Sequence, residues 1–202
     1  MAGGTCSANT LDPPRYNITG EGVADGPSDA RAAVRRHIKY GADLIQTCST
    51  GGVLSEGTKD GAPQYTLEEL TGLVDEAHSR GLKVASHAHG SEGIINALKA
   101  GADTIEHASF IDDEGIRLAI ENDAALSMDI YVTEYILGEG ASAGILEESL
   151  EKERKTGATQ RANFRKAVEA GATIVYGTDA GVYPHGQNAK QLSRMTRFGM
   201  TP

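Results

Sequence analysis

Tryptophan is absent from this 202-residue sequence, and aromatic residues make up only 5% of it. With 39% hydrophobic residues, a core is affordable, but it must be built mostly from Ala, Leu, Ile and Val. Cysteine is scarce as well. Cys6 and Cys48 are the only two; they lack C-x-x-C spacing and are too few for a disulfide framework, so reduced thiols are expected over a single bridge. No apolar run approaches the roughly 18 residues of a membrane span, so no membrane partner is expected. The opening MAGGTCSANTLDPP has neither the basic nor the apolar region of a secretory signal, so a soluble, cytoplasmic chain is expected. Positive charge is in deficit, 19 Lys and Arg against 28 Asp and Glu, for a net charge of −9. A nucleic-acid binder needs a basic face to meet phosphates, and that class is therefore excluded.

Glycine, by contrast, is plentiful at 25 residues. The glycines sit singly at element ends, as turn and cap residues do. The length suits one large domain or two small ones. Residues 1–27, rich in Gly, Pro, Asn, Thr and Asp, read as an irregular N-terminal segment. From residue 28 to 202 one unit recurs. Ser28 is placed to cap a helix running to about Tyr40. Short apolar strands are predicted at ADLIQTC (42–48), LKVASH (82–87), DTIEH (103–107), AALSMDI (124–130) and ATIVYGT (172–178). Between them lie helices, among them TLEELTGLVDEAHSRG, which opens with a Thr66/Glu69 capping box. A long charged helix is expected from about Ile145 to Ala170, with a break near Gly157; its run EESLEKERK reads as a solvated face. The phrases KYGAD, KAGAD and VEAGAT precede three of the strands, each a helix end, a Gly cap and a strand start. Five uniformly apolar strands alternating with helices imply an α/β fold with a parallel sheet buried on both faces. Two architectures satisfy this: an open doubly wound sheet, or part of a (β/α)8 barrel.

In either architecture, chemistry gathers at the carboxyl ends of strands. The polar residues there are Gln46 to Thr50, His87 and His89, Glu106 and His107, Asp129 and Tyr131, then Thr178 and Asp179, with His185 following. Two histidines and an aspartate from separate strands suit a zinc-like divalent ion. One strand-end histidine would more often be a plain structural residue; two with a terminal aspartate strengthen the metal reading. His37 and His78 fall inside helices and receive no role. The pattern G-x-S-x-G occurs at GASAG (140–144), but not at the end of a predicted strand, so it does not read as a serine-hydrolase elbow. The loop STGG (49–52) lacks a Walker lysine and is a weak phosphate signal.

SHAHGSEGIINALKAGADTIEHASFIDDEG, GTDAGVYPHG and the closing RFGMTP resemble the metal-dependent amidohydrolase superfamily, in its imidazolonepropionase-like and Xaa-Pro dipeptidase-like branch. The resemblance runs from about Gly20 to Pro202. It implies a partial (β/α)8 TIM-type barrel whose five parallel strands correspond to family strands four to eight. It implies a divalent metal, zinc first, with His87, His107 and Asp179 as ligands and Asp179 also as the catalytic proton shuttle. His89, Tyr131 and His185 match positions near the substrate. Gln46 stands where the family has a carboxylated Lys, and a glutamine cannot form a carbamate. The family's H-x-H strand and β-sandwich have no counterpart in this sequence, which reads as a fragment. The implied activity is hydrolysis of carbon–nitrogen bonds in small amides, such as dipeptides or N-acyl amino acids, by metal-activated water. The alternatives are a non-catalytic fragment or pseudoenzyme keeping part of a metal site, or an unrelated complete open-sheet protein. A barrel lacking three strands would expose two edges, which a homo-oligomer could cover.

Overall fold

The computed structural model describes residues 23–55, 59 and 61–201. The reading of residues 1–22 as irregular therefore lies outside the described residues, as does Cys6. The elements in chain order are α1 (Pro27–Lys39), β1 (Leu44–Cys48), α2 (Leu67–His78), β2 (Lys83–Ala88), α3 (Ser91–Ala100), β3 (Thr104–His107), α4 (Asp113–Glu121), β4 (Ala125–Ser127), α5 (Val132–Glu139), α6 (Glu147–Glu169), β5 (Ile174–Val175) and α7 (Lys190–Arg197).

The five strands form one sheet in the order β1-β2-β3-β4-β5, and every pairing is parallel. This order decides between the two architectures. A doubly wound sheet reverses its strand order at a switch point. Here the order never reverses, so right-handed crossovers keep the helices on one face, as in a barrel wall. The core lies between that face and the helices: Ile45, Val84, Ile105 and Leu126 from strands meet Leu70, Ile94, Leu98 and Phe164 from helices.

Local signals explain most boundaries. Thr66 caps α2, with its side chain accepting from the Glu69 amide while the Glu69 carboxylate accepts from the Thr66 amide. The same carboxylate accepts from the Gly26 amide at 2.8 Å, which ties the start of α1 to α2. The three repeated phrases turn at Gly41, Gly101 and Gly171, with φ of 87°, 95° and 82°. That left-handed conformation costs a Cβ-bearing residue roughly 1 kcal/mol or more, so the repeat is steric in origin.

Several expectations need correcting. Ser28 is inside α1, not its cap; Pro27 leads the helix and no side chain caps it. Pro at the first position needs no amide partner, which relieves the demand for one. The helix α5 was not expected, because VTEYILGE follows the strand-end residues with no cap residue to announce it. The α6 helix is unbroken through Gly157, where a Cβ would come within 2.3 Å of Thr133 Cγ2. That glycine serves close packing of α6 on α5. The run EESLEKERK is not simply a solvated face: Ser149, Leu150, Lys152 and Glu153 are all buried. The sheet is not buried on both faces either. In β1, Ile45 and Thr47 are buried while Leu44 and Gln46 are exposed. Thr104, Glu106, Ala125 and Ser127 are only half-buried. The helices cover the outer face, and among the described residues no comparable layer covers the inner one. Cys48 is disulfide-bonded, against the expectation of reduced thiols. Among the described residues no helix is long and apolar enough to cross a membrane.

Candidate metal centre at the carboxyl ends of the strands

His87 sits near the end of β2 and His89 just beyond it, so the two-residue period sends both the same way. Their rings lie 4.9 Å apart between centroids. His107 arrives differently. In the β2–β3 register His87 pairs with Glu106 and Ala88 with His107. Strict alternation would therefore put His107 on the face opposite His87. Instead His107 and Ala108 adopt left-handed φ of 67° and 48°, and the His107 ring lies 4.5 Å from His87 and 4.7 Å from His89, stacked on the latter at 18°. Two consecutive non-glycine residues in that region cost of order 1–3 kcal/mol each, and such strain persists only where the surroundings enforce it.

Among the described residues, two groups of side chains bring ligand atoms within 4.8 Å of one another: His87 with His89 and His107, and His107 with Asp129 and Asp179. His107 belongs to both. Of the residues read from the sequence, His87, His107 and Asp179 thus converge through His107 rather than as one set. His89 joins the histidine group. Gln46 lies beside Ala85 in the β1–β2 register, on the face that carries His87. Tyr131 is buried near the mouth, packed edge-on to Tyr183 and donating its hydroxyl to Gln187 Oε1 at 3.0 Å. His185 is exposed on the loop after Asp179 and outside both groups.

The sequence reading named Asp129 as a strand-end residue but gave it no role. It accepts from His107 Nδ1 at 3.1 Å and from the Gln160 side-chain amide at 2.9 Å. Gln160 and Ser109 were missed altogether. Ser109 Oγ meets His89 Nδ1 at 2.8 Å. No local signal marks Gln160, which is 31 residues from Asp129 and approaches from mid-α6.

The electrostatics sort the groups. Burial drives the His87 pKa down to about 3, with His107 adding to the effect. Burial likewise holds His89 neutral. Burial opposes charge on His107 too, but Asp129, with Asp179 and Glu106 adding to it, outweighs burial and raises His107 to about 9. Asp179 is exposed by surface area, yet partial burial of its carboxyl pushes it up to about 6, with His107 opposing and Asp129 and Glu106 assisting. Neutral imidazole is the form that binds metal, which His87 and His89 already have, whereas His107 would release a proton on binding. Among the described residues His87 Nε2 is buried without a hydrogen-bond partner, an exception that buried polar atoms seldom show. A cation in reach of the histidine group would satisfy it, so the residues present fit a divalent ion.

The STGG loop braces this site. The Ser49 amide donates to the His87 carbonyl at 2.9 Å, and Thr50 Oγ1 accepts from the His89 amide at 2.9 Å. Further along, Gly61 presses on Gly90, where a Cβ would fall 2.0 Å from the Gly61 carbonyl oxygen. Because the obstacle is backbone, Gly90→Ala is expected to destabilise the chain by about 1–3 kcal/mol. Urea denaturation would check it, and an unchanged midpoint would refute this packing.

A one-sheet barrel wall with histidines and carboxylates at its carboxyl ends places these side chains where parallel β/α folds gather their chemistry. The whole chain, residues 1–202, matches the Amidohydrolase family, and the protein belongs to that family. Among individual relatives, ochratoxinase of Aspergillus niger is 35% identical over 193 residues, covering 94% of this chain and 40% of that protein. In structure the chain is similar to a Xaa-Pro dipeptidase solved with methionine in its active site, at 41% identity and TM-score 0.86, covering 92% of this chain and 46% of that one. It is also similar to a prolidase solved with N-methylphosphonate-L-proline, at 29% identity and TM-score 0.76, covering 84% and 41%. The chain therefore spans less than half the length of each.

Proposed function

We propose that this chain carries the metal-binding part of a hydrolase that cleaves carbon–nitrogen bonds in small amides, dipeptides or N-acyl amino acids first. The observation that carries the reading is the unpartnered, buried His87 Nε2 beside two further imidazoles. The names of the relatives, a dipeptidase, a prolidase and ochratoxinase, point to the substrate class. His87 and His107 would hold a divalent ion, zinc first, with Asp179 as a further ligand approaching from the second group that shares His107. Such an ion supplies Lewis acidity, polarising the scissile carbonyl and acidifying a water. Asp179, raised to about 6, is suited to take a proton near neutral pH and return it to the leaving nitrogen. Tyr131, His89 and His185 would contact substrate.

Gln46 favours a second reading. If it occupies the carboxylated-Lys position, the bridging ligand of a two-metal site is missing, and the chain is a pseudoenzyme with one partial site. The two readings part on one experiment: metal content by plasma mass spectrometry, with turnover of a dipeptide panel including Xaa-Pro substrates. The hydrolase reading expects about one zinc-like ion per chain, lost in His87→Ala, and turnover that depends on it. Metal without turnover supports the pseudoenzyme, and a folded chain without metal removes both.

A further inference from the structure

We infer that Gln160 and Asn163, neighbours on the buried face of α6, are positioning residues that aim His107 and His89 into the site. This rests on the metal-site reading for its purpose, though not for its geometry. Gln160 is 3% exposed and Asn163 8%. The Gln160 amide nitrogen donates to the His107 carbonyl at 3.1 Å and to Asp129 Oδ1 at 2.9 Å. The Asn163 amide nitrogen donates to the Ser109 carbonyl at 2.9 Å. Ser109 in turn meets His89 Nδ1, and Asp129 meets His107 Nδ1. Gln160 thus addresses His107 both directly and through Asp129, and Asn163 addresses His89 through Ser109.

The three-residue spacing matches one helical turn, so both side chains project from the same side of α6. The carbonyls they grip, at 107 and 109, flank the left-handed pair His107–Ala108. Without those donors, two carbonyls in a buried turn would lose partners just where the backbone is strained. The β2 end supplies the rest of the clamp: the Ala108 amide donates to the Ala88 carbonyl at 3.1 Å and the Phe110 amide to the His89 carbonyl at 2.8 Å. By orienting the ring of a donor through the hydrogen bond on its other nitrogen, such groups govern metal affinity without touching the metal.

The test compares wild type with Gln160→Met and Asn163→Leu, which keep bulk and remove the donors. Nitrogen-15 NMR of the metal-free chain reads each imidazole at one pH, and cobalt(II) titration reads affinity. Gln160→Met is expected to move the His107 resonances and leave His89 near its place; Asn163→Leu is expected to do the reverse. Cobalt(II) affinity should fall about 10–100-fold in Gln160→Met. Shifts in neither histidine, or equal shifts in both from either variant, would overturn the inference, because a merely structural α6 would show no such selectivity. Should an apolar variant fail to fold, Gln160→Asn and Asn163→Ser, which shorten the donor's reach, carry the same selective expectation. If wild type binds no cobalt, the metal reading fails while the NMR arm still decides the positioning.

Discussion

His107→Ala is expected to weaken divalent-metal binding at least about a hundredfold and to destabilise the metal-free chain by about 3 kcal/mol at neutral pH. His107 is the one side chain common to both donor groups, so its loss takes a ligand atom from each. Removing even an indirect partner of a metal ligand commonly costs 10–100-fold, which sets the floor. The stability effect comes from Asp129, which is 4% exposed and keeps its charge because His107 and Gln160 face it. Breaking a buried pair from one side leaves a desolvated charge with too few partners. The companion change Asp129→Asn removes that charge. Adding it to His107→Ala is expected to recover most of the stability and none of the metal affinity. Urea denaturation and isothermal titration with zinc check the two effects separately. Equal stability of the single and double variants would rule out the Asp129 explanation.

Glu153→Gln is expected to stabilise the chain by roughly 3 kcal/mol at pH 8 and by nothing below about pH 4.5. Glu153 is buried on α6, and burial raises its carboxyl from the ordinary 4.5 to about 7, with Asp129 adding like charge. A folded-state value above the unfolded one means that the native chain binds the proton more tightly. The benefit is therefore fully present below pH 4.5 and is lost as pH rises through 7. At about 1.4 kcal/mol per pH unit, the interval between those values gives the expected size. Glutamine mimics the protonated acid at every pH. Wild-type stability should then fall between pH 4.5 and 7 relative to the variant, and parallel stability curves across that range would sink the idea.

Much of the fold was legible because its cues are local. A capping box needs only Thr66 and Glu69, and a left-handed turn needs only Gly41, Gly101 or Gly171. Strand existence followed from short apolar runs, but strand length did not. ATIVYGT shrinks to the two residues Ile174 and Val175, because a strand continues only where its neighbour offers a partner, and β4 is itself three residues long. The charged run in α6 misled for a related reason. Charge predicts exposure only on average; Lys152 is buried because Ser55 and Glu148 receive its ammonium, and neither partner is evident from the helix itself.

By itself, then, the sequence determined the β/α repeat, the Thr66 capping box and the glycine turns, and that His87, His107 and Asp179 lie at or just beyond the carboxyl ends of their strands, since each depends on residues a few positions apart. The tertiary structure alone decided the single-faced strand order, the turn that brings His107 back beside His87, and the convergence of Asp129, Gln160 and Ser109 on the histidines. Those outcomes depend on contacts between residues 20 to 53 positions apart. Chain reversals at that range are set by packing, and no periodicity in the intervening residues records them.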